Sequence, residues 1–550
     1  MQIRNKQPLT VLALLLASLP LSLLAQPADH AGRAAGDALL AATPERVPFQ
    51  LAAKSDDLPL SRDSLFGTDE PAAKPATKPA TAPAAAPAVA PASEPPLSRD
   101  ALFGTDTPAV AAPADELPLS RDALFGDGDD ALPKGKAAQA VAQSASRPVR
   151  YRGFIQNVMA YTTPGPAHWS EAMTRADVSA QGDFGSGVKW HLGARVDFDA
   201  VYPMSDFYPQ AVNDNQTLNA MLRENYIDIG AGDWDFRVGR QHIIWGEMVG
   251  LLFGDVVSAK DMRHFVLPEF DILRIPQWAA RAEYFKGDFH AEAIWIPVAS
   301  YDNIGKPGSE FYVYTLPPPP GFGTSFRNEK FPTRSLANTN YGLRLSVLKD
   351  GWDVAAFAYS SMSVAPTFYR EIVAGPQPTV VYQARHDRIQ QFGSTLAKDF
   401  GSVVLKAEAV YTRGLNYQVT DPGDADGVVP QNTLTWVLGL DFTEFADTRI
   451  NTQIFQSHFF NHNPDIIQST NEYGYSLLVN HKFSDKFEAE ALWIASLNRT
   501  DWMLRPRVTW NLEKNWRIAL GVDIFNGSPP GYFGRYDAKD RVYSELRYSF

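Results

Sequence analysis

Charged residues of both signs crowd one stretch of the chain. Between Tyr226 and Pro276 stand Arg240, Glu247, Asp255, Asp261 and Arg263, close enough in sequence to pair with one another. On a segment folded into a low-dielectric passage, such a set would narrow the passage and choose which charges cross it. This is the chemistry of ion pairs and does not require covalent catalysis. Asp421, Asp424 and Asp426 lie in a loop with Gly423 and Gly427, but the calcium-loop spacing and its terminal Glu are missing, so no metal is expected there. His191, His242, His264, His386 and His481 are scattered, and none stands in a nucleophile phrase. Gly-rich phosphate loops are absent, and the chain contains no cysteine. That excludes thiolate metal sites, disulfides and c-type haem attachment. The expectation is a protein that is not an enzyme and uses no cofactor.

The elements that must position these charges read as strands. From Val149 onward, segments of about ten residues alternate apolar and polar, the pattern of a transmembrane β-barrel. Along 188–200, Trp190, Leu192, Ala194, Val196 and Phe198 would face lipid, while Lys189, His191, Arg195, Asp197 and Asp199 would face a wet lumen. Leu434, Trp436, Leu438, Leu440 and Phe442 form a second outward row, and Trp516, Ile518, Leu520, Val522 and Ile524 a third, opposite Arg517 and Asp523. Arg344 falls on an inward register as well. Eighteen strands are expected, near 150–161, 172–183, 188–200, 221–230, 234–244, 276–286, 289–297, 338–349, 352–360, 387–398, 402–413, 432–443, 447–457, 471–482, 487–498, 501–511, 516–525 and 541–550. Sixteen also fits. Short turns such as Lys286-Gly287-Asp288 and Lys349-Asp350-Gly351 alternate with long loops, among them 201–220, 245–275 and 298–337. Bacterial barrels keep short turns in the periplasm and long loops outside, and an even count brings both barrel ends to the periplasm. The fold class is therefore all-β: a transmembrane antiparallel barrel over 148–550.

The final strand, Arg541 to Phe550, alternates in the same way and closes on an aromatic residue. Tyr548 and Phe550 resemble the C-terminal signal read by the outer-membrane barrel assembly machinery. At the other end, Arg4 and Lys6 precede an apolar stretch, and residues 1–25 read as a secretory signal peptide. Residues 26–147, rich in Ala and Pro, read as a disordered periplasmic arm. One phrase recurs there three times, at Pro59–Gly67, Pro96–Gly104 and Pro118–Gly126. In it Leu65 with Phe66, Leu102 with Phe103, and Leu124 with Phe125 would dock on a periplasmic protein, repetition supplying avidity. Asp plus Glu outnumber Lys plus Arg by 62 to 50, and neither arm nor barrel is basic, so nucleic acid is not an expected partner.

The order Tyr226-Ile227-Asp228, Arg237-Val238-Gly239-Arg240-Gln241, Trp245-Gly246-Glu247, Asp255-Val256-Val257-Ser258, Asp261-Met262-Arg263 and Arg274-Ile275-Pro276 resembles a family of uncharacterised proteobacterial outer-membrane barrels, domain of unknown function 1302. The resemblance covers most of 150–550, is clearest at 222–297, and leaves the arm outside. It implies an outer-membrane barrel connected with transport of hydrophobic or lipid-like compounds, and it implies no substrate and no catalytic residue. The expected function is a porin-like channel in the outer membrane of a Gram-negative bacterium, embedded in its lipid and passing small solutes of amphipathic or hydrophobic character. The alternative is the outer-membrane component of an export or envelope-spanning complex, whose N-terminal repeats recruit a periplasmic partner.

Overall fold

The computed structural model describes residues 149–550, apart from 247, 249–250, 252, 313–314 and 443. The signal peptide, the arm with its docking residues Leu65, Phe66, Leu102, Phe103, Leu124 and Phe125, and the candidate Glu247 lie outside the described residues.

Alternation sends successive side chains to opposite faces, so each strand can be apolar outside and polar inside. Eighteen such strands form the wall. They are β1 (Arg150–Thr162), β2 (His168–Gly185), β3 (Val188–Asp199), β4 (Leu218–Ala231), β5 (Trp234–Gln241), β6 (Gln277–Lys286), β7 (Phe289–Val298), β8 (Asn340–Lys349) and β9 (Trp352–Met362). They continue with β10 (Arg388–Asp399), β11 (Val403–Gln418), β12 (Val428–Phe442), β13 (Thr448–Phe460), β14 (Asn471–Lys482), β15 (Phe487–Ser496), β16 (Asp501–Glu513), β17 (Trp516–Gly527) and β18 (Arg541–Ser549). Each pairs antiparallel with its neighbours in chain order, and β1 pairs with β18 from Phe154↔Ser549 to Thr162↔Arg541. The cylinder has no free edge, as backbone groups in hydrocarbon require. The protein is thus a transmembrane antiparallel β-barrel, and every expected strand has its counterpart.

The closing seam extends one residue past β18. Gly153 N–H donates to the Phe550 carbonyl and Phe550 N–H to that of Gly153, both at 2.9 Å. A Cβ at Gly153 would lie 2.8 Å from Phe550 Cζ, so this glycine is what lets the terminal ring lie against the first strand.

The faces follow the alternation. Leu192, Val196, Phe198, Leu438, Leu520 and Val542 are exposed on the outside, whereas Arg195, Asp197, Asp199, Asp441 and Asp523 are buried inside. Two strand ends differ from expectation. β2 starts at His168, before the expected 172, and β5 stops at Gln241, although the period of two runs on through Ile243 and Trp245. Those two residues keep the rhythm of a strand but turn into the lumen, where both are buried. The loop 363–387 also folds more than expected. Its hairpin Thr367–Val373/Thr379–Arg385 joins Gly323–Phe326 in a three-stranded sheet.

Candidate functional site: a loop held across the lumen

The segment 242–276 leaves β5, crosses the inside of the barrel and returns at β6. The described residues of its first lobe, up to Ser258, are anchored chiefly by apolar side chains. Ile243, Trp245, Val256 and Val257 form a core with the inward residues Ala279, Ile294, Ile296, Phe357, Tyr359 and Val410. Trp245 is fully buried, its ring 5.2 Å from that of Phe357 and 5.7 Å from that of Tyr359. Gly342 on β8 makes room, since a Cβ there would stand 2.7 Å from Trp245 Cη2. Met248 N–H donates to Glu408 Oε1 at 3.2 Å, tying the lobe to β11.

The second lobe runs from Ala259 to Ile275, whose ends pair as Ala259↔Ile275 and Lys260↔Arg274. It is held by charge and by apolar burial, Phe265 and Leu267 packing with Phe311, Ile494, Met503, Phe525, Phe533 and Tyr536. Arg263 binds Asp261 with two bonds, Nε to Oδ1 at 2.8 Å and Nη2 to Oδ2 at 2.7 Å. Arg195 approaches Asp261 at 3.7 Å and Asp197 at 3.2 Å, and Asp197 accepts from Arg175 at 2.7 Å. Burial alone would raise the Asp261 carboxyl, but the Arg263 guanidinium beside it dominates and holds it at about 2. Arg195 Nη1 also donates to the Ile272 carbonyl at 2.6 Å, and Arg505 Nη2 to that of Leu267 at 2.8 Å.

Glu269 makes the densest contact. It precedes the helical turn Phe270–Leu273, and its backbone carbonyl accepts from the Ile272 and Leu273 amides. Its side chain points to the wall. Arg517 Nη2 donates to Oε1 at 2.6 Å, Arg547 Nη1 to Oε2 at 3.0 Å, and Arg507 stands 3.9 Å from Oε1. Burial pushes this carboxyl up, and the three guanidiniums together bring it down to about 2. Next to this cluster, Asp523 accepts from Arg505 and from Arg541, each at 2.8 Å, and Arg541 reaches Glu171 on β2 at 2.9 Å.

The sequence-expected residues divide as follows. Asp261, Arg263 and Arg195 come together. Asp255 joins a separate pair, accepting from Arg274 Nε at 2.8 Å. Arg240 is elsewhere: it faces Trp278 across the β5–β6 ladder and shares the outward register of the exposed Val238 and Trp278. The expected single network with Arg240 in it is therefore replaced by two inner pairs and an outward arginine. One residue step from Gly239 decides the matter. Arg195, Arg344 and Arg517 point inward. Arg195 and Arg344 are nevertheless only 1% and 5% exposed, where a wet lumen was expected. Packing of loops inside the barrel, which strand periodicity cannot show, accounts for the difference at Arg195. Tyr548 and Phe550 sit on the closing strand and beyond its end. Asp421, Asp424 and Asp426 accept from backbone amides of their own loop.

Sequence reasoning did not single out Glu269, Glu171, Arg505 or Arg507, and it gave no site role to Arg274 or Arg541. The period of two along β16 and β18 was the available signal for the arginines. A further alignment on the inner wall was also missed: Ser346 Oγ lies 3.2 Å from His290 Nδ1, and His290 Nε2 lies 3.1 Å from Glu283 Oε1. This string spans three strands, so no local phrase announces it. Ser346 and Val347 sit within ladders to both neighbouring strands, which commits their amides and leaves no backbone pair to hold an oxyanion. The string therefore reads as a hydrogen-bonded link in the wall.

The family described as protein of unknown function (DUF1302) matches residues 168–550. The chain belongs to this family. No curated protein matches this DUF1302 barrel. Among solved structures it is similar to OccAB4 of Acinetobacter baumannii, at 10% identity over 74% of this chain and 100% of that one, with a TM-score of 0.44. It is similar to OccK8 (OprE) of Pseudomonas aeruginosa, at 9% identity over 73% and 97%, with a TM-score of 0.43. The outer membrane protein OpdK of Pseudomonas aeruginosa aligns at 7% identity over 73% and 99%, again with a TM-score of 0.43.

Proposed function

We propose that this DUF1302 protein is a porin-like channel of the outer membrane, with the short turns and both barrel ends on the periplasmic side. The observation that carries the reading is the segment 242–276, anchored by apolar burial and closed by ion pairs across an otherwise continuous barrel. Water-facing charge inside and apolar side chains outside are needed for a wet passage through lipid. The solute class is small and amphipathic. Aromatic residues Phe265, Phe311, Phe525 and Tyr536 form a buried cluster beside the arginine rungs of β16–β18.

The test is electrical. Full-length, heat-modifiable protein in planar bilayers is expected to give discrete conductance steps. Folded protein that inserts and stays silent would overturn the channel reading and favour the envelope-complex alternative, in which the repeats at 59–67, 96–104 and 118–126 capture a periplasmic partner.

A further inference from the structure

Arg517 and Arg547 face each other directly across the β17–β18 ladder. Like charges in that position repel, and an anion between them offsets the repulsion. The wall supplies one carboxylate to Arg517, Glu545 at 2.8 Å, and one to Arg507, Glu490 at 3.3 Å. It supplies none to Arg547, for which Glu269 is the one carboxylate at ion-pair distance among the described residues. Arg547 is held in place from its other side by the Phe154 ring, 3.8 Å from its guanidinium carbon. Among the described residues, Glu269, Glu490 and Glu545 are the carboxylates within ion-pair distance of these three arginines. Removing Glu269 takes one negative charge from guanidiniums preset to a carboxylate's two oxygens.

We propose that Arg507, Arg517 and Arg547 form a carboxylate-binding site which Glu269 fills at rest, and that a carboxylate-bearing solute in passage takes its place. The second half of the statement rests on the channel reading; the first half does not. The solute it selects carries one carboxylate, which exchanges with Glu269. No covalent step is involved: one carboxylate is exchanged for another, and charge is conserved at the site.

Acetate is the probe, with neutral acetamide as its control. Full-length Glu269→Ala in detergent is expected to unfold at lower temperature than the wild type. Acetate at tens of millimolar should restore most of the loss, and acetamide none. Arg547→Gln added to Glu269→Ala should abolish the rescue. Equal effects of acetate and acetamide, or rescue that survives Arg547→Gln, would overturn the site. Should Glu269→Ala fail to assemble, Glu269→Gln keeps the shape and reads the same competition. In bilayers, removing Glu269 should shift the reversal potential toward anions, and acetate should move it back. A conducting channel whose selectivity ignores Glu269 overturns the exchange in passage. Complete silence with acetate rescue intact removes the channel reading and the exchange together but leaves the site.

Discussion

The two lobes of the inserted segment are fixed by different mixtures of apolar burial and charge, the second adding an arginine grip to the buried Phe265 and Leu267. The first, 242–258, buries Ile243, Trp245 and Val257 against six inward residues of β6, β7, β9 and β11. The second, 259–275, is gripped by Arg195, Arg223, Arg505, Arg517 and Arg547, reaching it from five different strands. Apolar burial has no exchange partner in water and is indifferent to salt or pH. A guanidinium–carboxylate contact can be exchanged for another anion and is lost when the carboxylate is protonated. Of the two lobes, the second alone, among the described residues, carries a carboxylate, Glu269, that meets arginines of β17 and β18.

The largest effect should come from breaking the first lobe. Trp245→Ala removes a fully buried indole from a core in which Gly342 has been kept small to receive it. A loss of about 3–5 kcal/mol is expected for such a truncation. Melting of the folded barrel followed by circular dichroism should show it, together with noisy, enlarged conductance as the whole segment loosens. A variant that melts like the wild type would mean that the first lobe is no anchor.

Acid should act most on the other half, although Asp255 in the first lobe is, against its burial, also held low by Arg274 beside it. Glu269 and Asp261 are held at about 2, below the 4.5 and 3.8 of free carboxyls. A group depressed in the folded state stabilises it fully above its free value and loses that contribution as pH falls toward the folded one. The second lobe should therefore stay closed down to about pH 4.5 and release progressively toward pH 2. Around Glu269 the groups that count are Arg507, Arg517 and Arg547, with Glu490, Glu545 and Asp271 opposing. The cysteine-free chain permits nitroxide labels at Val266 and Ile244, one in each lobe. Mobility rising at 266 while 244 stays rigid is the expected spectrum. Both sites loosening together would show that the lobes move as one.

How much of this was legible in the sequence follows from periodicity. The wall was legible because each strand carries its own evidence: Leu192, Val196 and Phe198 outward with Arg195 and Asp197 inward needs no knowledge of the neighbours. The charges Asp261 and Arg263 were visible for the same local reason. What could not be read was pairing across the barrel. Glu269 meets Arg517 and Arg547 across 248 and 278 residues of chain, and nothing near it in sequence marks it out. Ile243 was misleading because alternation continues through it, and only tertiary packing shows that the chain has already turned inward. Arg240 failed at a single step: one place either way along β5 would have put it inside.

Arg240 also supplies the smallest effect and the sharpest control. It lies in the same stretch as Asp261 and Arg263, yet it faces outward beside Trp278. If lumen electrostatics follow position and not composition, Arg240→Gln should leave the reversal potential where it is, with a stability change of no more than about 1 kcal/mol for this half-buried side chain. Arg517→Gln, an identical change of charge on the inner face, should move the reversal potential toward cations, because it subtracts a positive charge from the cluster around Glu269. The pair compares one substitution on two sides of the same wall. Equal shifts from both would mean that the register of β5 is displaced by one residue, that Arg240 reaches the passage, and that the charged lobe extends to the strand from which the loop departs.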